Sequence, residues 1–402
     1  MDRLNPTLVY LIVRGLWSLF EGTFFFLLPV YYIQDAGMDP LQLILVDTVM
    51  QVTIFVFEVP TGVVADSYSR KVSVIIGMLT GGLCFAVEGL LPVFAFIILA
   101  EFFRAIGETF ISGAFTAWIT DEIGVEKVGR ILMRANQASQ VTGIVSTGIG
   151  IWLSTFLPLG AIISAGGLGV VLLAVFMIFA MPEKNFKPTK ESRSTPLFQS
   201  LKTGWQVVRG RPLALTIVAM GLVFGSSDAG FDRLWEAHFI KDFAIPLLTP
   251  AEWFGLLWIA AQLANLLLLE ILIRRFELGN SRDILKASMG THVILVVSLI
   301  FFALAGNFYV ALGACLVGRT FRTTGLFPIW VNRNLDARVR ATVISFDSQV
   351  EAVGHLLGGP LTGFIGTTVS IPAALMTSAL VLALSLPLFG NALRLTKQQE
   401  KE

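Results

Sequence analysis

The chain has 402 residues, 55% of them hydrophobic and only 14% charged, with a mean hydropathy of +0.76. Soluble domains carry about a quarter charged residues, so an aqueous core has no room for this much apolar surface and lipid must be the solvent for most of the chain. A net charge of +1 excludes the concentrated basic face that a nucleic-acid partner requires. Cys84 and Cys315 each stand alone in an apolar stretch, which excludes a disulfide framework or a cysteine metal site.

The opening "MDRLNPTLVYLIVRGLWSLF" runs into a long apolar segment without a small-residue cleavage site, so it reads as a first span that is its own insertion signal. Segments of about 20 apolar residues then follow along the chain. Twelve are expected, over 8–33, 41–64, 72–92, 93–119, 136–157, 159–181, 213–240, 251–273, 284–305, 308–331, 342–367 and 371–393. The expected fold is an all-α integral membrane protein of two pseudo-symmetric six-helix bundles, 1–181 and 212–393. A linker at 182–211 joins them and a tail covers 394–402. The linker is rich in Pro, Ser and Lys, and its second half reads as a short amphipathic surface helix with Leu197, Leu201, Trp205 and Val208 on one side.

Lys and Arg fix the expected orientation. Taking the N-terminus and the loops after even-numbered spans as one side, that side holds 23 of the 29 basic residues, among them Arg3, Arg70, Lys71, Arg282, Arg340 and Lys401. The other side holds only Lys241, and five arginines lie inside spans. Both termini are therefore expected in the cytoplasm.

The two halves resemble each other. At an offset of 207, Glu21, Ile33 and Asp35 fall on Asp228, Ile240 and Asp242. Pro40 corresponds to Pro250 and Arg104 to Arg319, and "SQV" at 139–141 recurs at 348–350. This is the parallel internal repeat found in one class of transporters.

"GVVADSYSRK", residues 62–71, resembles the cytoplasmic loop motif of the major facilitator superfamily in Gly62, Asp66, Arg70 and Lys71, with Ser69 where a second glycine is usual. "RAIGE" (104–108) resembles the arginine segment of the fourth span in drug antiporters, with Ile106 in place of the usual Gln. The fifth span keeps glycines of the antiporter pattern (Gly143, Gly148, Gly150) without its proline. A Gly-Pro pair stands instead in "GHLLGGPLTG" on the eleventh. The resemblance covers essentially the whole chain and implies a transporter resembling bacterial drug/proton antiporters. It implies that Asp66 caps the eleventh span while Arg70 pairs with a carboxylate such as Asp121. Glu58 and Pro60 lie beside that latch, with Pro60 kinking the helix end.

The resemblance also implies that the first, fourth, seventh and tenth spans line the central cavity. All four carry charge: Arg14 and Glu21; Glu101, Arg104 and Glu108; Asp228 and Asp232; Arg319 and Arg322. A charge at mid-bilayer costs about 2.5–3.5 kcal/mol on insertion scales, so each needs a wet cavity or a partner. Neither Glu21 nor Asp228 has a basic residue one turn away on its own helix, and both read as unpaired, titrating carboxyls. With Asp232 and Glu108 they are the candidate proton-coupling residues. Arg104 with Glu101 or Glu108 reads equally as a structural ion pair. Trp17, Phe25, Phe102, Phe110, Phe231 and Trp235 supply aromatic surface suited to apolar cations. Glu236 and His238 are expected at the outer interface. Asp347, Glu351 and His355 form a stripe on the eleventh span, read as a packing network opposite Arg319 and Arg322.

No nucleophile with its base, metal cluster or phosphate loop is legible, so the expectation is a carrier without cofactor, driven by the proton gradient. It would work as a monomer in the plasma membrane, the halves rocking about a midplane site. The expected cargo is an amphipathic or hydrophobic small molecule moving outward; the alternative is proton-coupled import of a small, anionic metabolite held by the arginines. For the orientation, a reporter fused after Glu402 should read cytoplasmic and a thiol probe at position 37 should label from outside; the reverse labelling would overturn it.

Overall fold

The computed structural model describes residues 5–188, 197–275, 280–322 and 324–399. Arg3, Lys190, Arg193 and Lys401 lie outside the described residues, as do the side chains of Leu197, Leu201, Arg275 and Arg338. Among the described residues all regular structure is helical. In the first half the helices are α1 (Pro6–Phe24), a 3₁₀ turn (Phe25–Leu27), α2 (Leu28–Gln34), α3 (Pro40–Ser67), α4 (Arg70–Glu88), α5 (Phe94–Ile111), α6 (Ala114–Ile123), α7 (Val125–Ser154) and α8 (Leu159–Ala180). The linker contributes α9 (Leu197–Val208). The second half contains α10 (Pro212–Asp242), α11 (Pro250–Arg275), α12 (Ser281–Ala303), α13 (Phe308–Arg322), α14 (Leu326–Asn334), α15 (Ala337–Thr368), α16 (Ile371–Ala383) and α17 (Ser385–Gln399).

Eight of the segments are long and apolar enough to cross a bilayer. The four expected spans outside that set are broken or polar. Three charges sit within α5, α13 has only 15 residues, and α7 and α15 begin with charged turns.

Local chemistry sets the helix ends. Proline opens α1, α3, α10 and α11, where its missing N–H removes a donor that would have had no partner. Pro40 and Pro250, matched in the repeat, hold corresponding places. Ser69 caps α4 by accepting from the Val72 amide at 3.0 Å, and Asn280 caps α12 by accepting from that of Arg282 at 3.0 Å.

The fourth and tenth spans, expected to be continuous, are each two helices. Gly113 holds φ +70° and Gly325 φ +66°, a backbone that glycine adopts without a Cβ penalty, and the helix restarts in a new direction after each. The first span is broken by the 3₁₀ turn just ahead of Pro29, whose ring excludes the helical hydrogen bond to Phe25. Gly37 is also left-handed, at φ +63°, so the thiol probe for that turn is better carried by the exposed Gln34.

Two compact units emerge. The first comprises Met1–Met38, Val49–Ser194 and Ala251–Gly255; the second comprises Asp39–Thr48, Thr195–Pro250 and Leu256–Glu402. The opening residues of α3 thus pack in the second unit, and those of α11 pack in the first, where Gly255 lies against Ile151 and Phe26.

In the first unit α4 lies against both α5 and α8. A Cβ on Gly82 would stand 2.8 Å from the Gly167 carbonyl oxygen, and one on Gly167 2.7 Å from that of Gly82; backbone contact this close is how helices gain packing energy where lipid is as apolar as the partner. One end of the unit is filled by Tyr10, Phe115 and Trp118, the last two stacked at 5.8 Å. In the second unit Trp330 and Phe389 occupy the equivalent interior. The linker helix α9 contributes Val208 to that core, while Trp205 stays half-exposed on its surface.

Gly167→Ala should therefore lower stability by about 1–3 kcal/mol through overpacking, read as a fall in thermal unfolding temperature in detergent. Gly148→Ala, on a helical site where a Cβ meets nothing within 4 Å, should be neutral or stabilising by up to about 1 kcal/mol. Equal effects at the two sites would contradict the packing described.

Candidate functional site

In the first unit, α1 and α5 bring Trp17, Glu21, Arg104 and Glu108 to one narrow cleft backed by Met78 and Phe85 of α4. Arg104 is 8% exposed and donates to the Glu101 carboxylate through Nε at 2.9 Å and Nη2 at 2.5 Å. Its guanidinium lies 5.2 Å from the Phe85 ring centre. This is an i, i+3 pair on one helix face, which the spacing alone suggested. Arg14 enters the same unit with its Nε buried and without a hydrogen-bond partner among the described residues.

Phe25, expected in the cavity, is 49% exposed and does not line the cleft. Phe24 leaves helical geometry at φ −122° ahead of the 3₁₀ turn, and the helical face assumed by the spacing is lost there. Phe102 and Phe110 are half-buried, Phe102 meeting Phe57 edge-on at 6.1 Å.

In the second unit the decisive residue is Arg322. It is the last residue of α13, and a helix C-terminus favours a cation. Its Nη2 reaches Asp228 at 3.0 Å and Asp232 at 2.7 Å, one turn apart on α10. Asp228 is thus not an unpaired carboxyl, as expected from its own helix; its partner comes from another helix, and no periodicity on α10 signals that. Phe231, 1% exposed, lies 5.5 Å below the same guanidinium, and Trp235 lies 4.6 Å below that of Arg319.

Two recesses meet at Arg322. The larger, about 370 Å³, is lined by Asp228, Arg322, Asp347, Glu351, His292 and Asn332, with Phe224 and Phe327 among its apolar walls. The smaller, about 220 Å³, is bounded by Asp232, Arg319, Arg322, Trp258 and Gln262. Asp347 and Glu351 reach the larger recess because α15 lies directly on α10: a Cβ on Gly354 would stand 2.5 Å from the Leu222 carbonyl oxygen. They face Arg322 across a cavity, where only a packing network was expected. His355 has its Nδ1 buried without a partner among the described residues.

Of the remaining charges of α10, Arg233, Glu236 and His238 are buried or half-buried, while Lys241 and Asp242 are exposed. Arg233 donates to Asp47 at 2.6 Å. Glu236 is 5% and His238 2% exposed, both packed inside the unit. His238 sets Nε2 on the Phe302 carbonyl at 3.2 Å and Nδ1 on Asp242 at 2.6 Å. A carbonyl only accepts, so the contact to Phe302 calls for a hydrogen on Nε2.

The motif loop is bolted to its own unit. Arg70 donates to Asp121 at 2.6 Å and lies 3.5 Å from Asp66. Burial lifts the Asp121 carboxyl above its ordinary range, against the pull of Arg70. The Ser69 hydroxyl and the Lys71 amide both donate to Glu183, at 2.6 and 2.9 Å, and Lys71 Nζ donates to the Ile178 and Met181 carbonyls, each at 2.8 Å. Glu183 was missed from the sequence; its position just past a span, beside Pro182, was the available signal. Gly62 has open space where a Cβ would stand. Among the described residues no three His, Cys, Asp or Glu side chains gather as metal ligands.

Residues 8–358 match the profile of the Major Facilitator Superfamily. The chain belongs to that superfamily. It is a multi-pass membrane transporter. The "uncharacterized MFS-type transporter YxaM" of Bacillus subtilis is 23% identical over 369 residues, covering 90% of this chain and 89% of that protein. Among solved structures, the nucleoside transporter NupG is similar at a TM-score of 0.75 and 15% identity, over 97% of this chain and 99% of NupG. A bacterial homologue of the iron transporter ferroportin in its inward-facing state is similar at a TM-score of 0.72 and 13% identity, over 96% and 98% of the two chains. At these identities the likeness is one of fold alone.

Arg322→Ala should destabilise the protein by about 1–3 kcal/mol, less than the 3–5 kcal/mol of a fully buried pair because Asp228 and Asp232 are partly exposed. Arg322→Ala/Asp228→Asn should recover part of that loss in thermal unfolding. A double variant no more stable than Arg322→Ala would contradict the pairing.

Proposed function

We propose that this transporter exports amphipathic, cationic small molecules against a proton gradient by alternating access. In this reading it is a monomer in the plasma membrane with both termini in the cytoplasm, needing no cofactor beyond the gradient. One observation carries the reading. Two of the four arginines that an anionic cargo would need are occupied by carboxylates, Arg104 by Glu101 and Arg322 by Asp228 and Asp232, and acids outnumber bases around the larger recess. There Asp228, Asp347 and Glu351 face a single Arg322 among aromatic walls, a lining that attracts a cation and rejects an anion. Glu21 and Glu108 line the cleft of the first unit and give the coupling proton a second pair of acceptors.

Proton coupling follows from charge balance around Arg322. A proton on Asp228 or Asp232 leaves the guanidinium one carboxylate to hold, and a cationic cargo competes with that proton for the released site. Exchange of proton for cargo is then electrostatically enforced.

Inverted vesicles with an imposed pH gradient test this. Lipophilic cations should accumulate, the accumulation should collapse with an uncoupler, and Glu21→Gln or Asp228→Asn should abolish gradient-driven transport while cargo exchange survives in at least one of them. Normal proton-driven transport in both variants would remove these carboxyls from the mechanism.

A second reading, import of a small anionic metabolite, has one observation in its favour: the Arg319 Nε is buried without a hydrogen-bond partner among the described residues, beside the recess shared with Gln262 and Trp258. Uptake of anionic metabolites that Arg319→Ala weakens in affinity alone, with lipophilic cations ignored, would establish it over the first.

A further inference from the structure

The export reading leaves one buried ionisable cluster unused. Glu88, the last residue of α4, is 0% exposed. Glu101 is 3% and Tyr32 3% exposed beside it. The Tyr32 hydroxyl is hydrogen-bonded to Glu88 Oε1 and lies 3.4 Å from Glu101 Oε1. Glu101 gives its other oxygen, Oε2, to Arg104, while Glu88 Oε2 is buried with no partner among the described residues. The cluster therefore holds two carboxyls and one phenol, each 3% exposed or less, and one guanidinium that also borders the cleft.

We propose that Glu88, Tyr32 and Glu101 form a proton-binding site in the first unit, with the resident proton on Glu88 and Tyr32 as the bridge by which it passes to Glu101. Ionised carboxylates only accept, and a phenol has a single hydrogen to give. With both carboxyls ionised, Tyr32 satisfies one and turns a lone pair on the other, and the cluster keeps a net buried negative charge, which low-dielectric surroundings penalise by several kcal/mol. A proton on Glu88 removes both defects. Glu88 O–H donates to Tyr32 Oη, Tyr32 O–H donates to Glu101 Oε1, and Glu101 stays ionised against Arg104. Glu101 is the carboxyl held by the guanidinium, so the proton belongs on the other.

The transfer balances. As the hydrogen on Glu88 moves to Tyr32 Oη, the Tyr32 hydrogen moves to Glu101 Oε1. Glu88 is left ionised, Tyr32 stays neutral and Glu101 becomes a carboxylic acid. A neutral Glu101 no longer holds Arg104, whose guanidinium side also borders the cleft with Glu21 and Glu108. The proton's position thus decides which carboxylate Arg104 pairs with. The other groups facing Glu88 are few. Tyr31 donates to the Glu88 carbonyl at 2.7 Å; Cys84 lies one turn back on α4; Asp35 follows α2; and α8, packed along α4, carries no ionisable residue but sets the Ser164 hydroxyl on the Ala86 carbonyl. Arg104 is the cluster's cation.

The relay rests on the proton-coupled reading; the resident proton does not, and two measurements on the full-length protein separate them. In infrared spectra of the purified protein at neutral pH, the wild type should show a protonated-carboxyl C=O band that Glu88→Gln removes and Tyr32→Phe shifts. No such loss in a folded Glu88→Gln protein would overturn the site, and Tyr32→Phe gives a second reading if Glu88→Gln fails to fold: a protonated-carboxyl spectrum it leaves unshifted would overturn the site too. In vesicles, the ratio of gradient-driven to exchange transport should fall by a factor of about 10 or more in both variants; wild-type ratios would overturn the relay. A wild type that shows the band yet no gradient-driven transport at all would refute proton-coupled export and leave the site standing.

Discussion

A guanidinium inside a membrane span is costly unless a carboxylate holds its charge, and three such pairings organise both halves of the molecule. Arg104 is held by Glu101, Arg322 by Asp228 and Asp232, and Arg233 by Asp47. Each pair is costly to desolvate and costly to break. In the second half Arg322 is surrounded by more carboxyls than it can neutralise, and it is on that surplus, rather than on any single residue, that the proposed exchange of protons for cations rests.

The backbone serves the same constraint. Arg322, the last residue of α13, reaches two carboxylates of α10. The fourth span breaks at Gly113, below the Glu101–Arg104 pair. Where α15 must bring Asp347 and Glu351 to the same cavity, glycines let it lie directly on α10. At the motif loop the logic is mechanical: Arg70, Ser69 and Lys71 are pinned to Asp121 on α6 and to Glu183 just past α8.

Much of this was legible in the sequence. Hydropathy placed 159–181 where α8 runs from Leu159 to Ala180, because a bilayer demands unbroken apolar length and this segment carries no charge to interrupt it. The i, i+3 spacing allowed the Glu101–Arg104 pair. The breaks at Gly113 and Gly325 were invisible, since a hydropathy window weighs side chains and not backbone dihedrals. The partner of Asp228 was invisible because it comes from α13, and no periodicity within one helix encodes a neighbour's reach. Phe25 was misplaced by the non-helical backbone beside it, and Glu88 was overlooked because an acid at the end of a span looks like an ordinary loop charge.

The pair formed by α4 and α8 has one more consequence. Their 19 and 22 residues span about 29 and 33 Å at 1.5 Å per residue, whereas α10, with 31, reaches about 46 Å. Backbone-to-backbone contact at Gly82 and Gly167 denies the short pair the freedom to tilt independently. The long helices accommodate a thin or thick bilayer by leaning, but the short pair has no length to spare. Its length is close to the about 30 Å of an average hydrocarbon core, so a thicker, sterol-rich bilayer would have to thin around that one side.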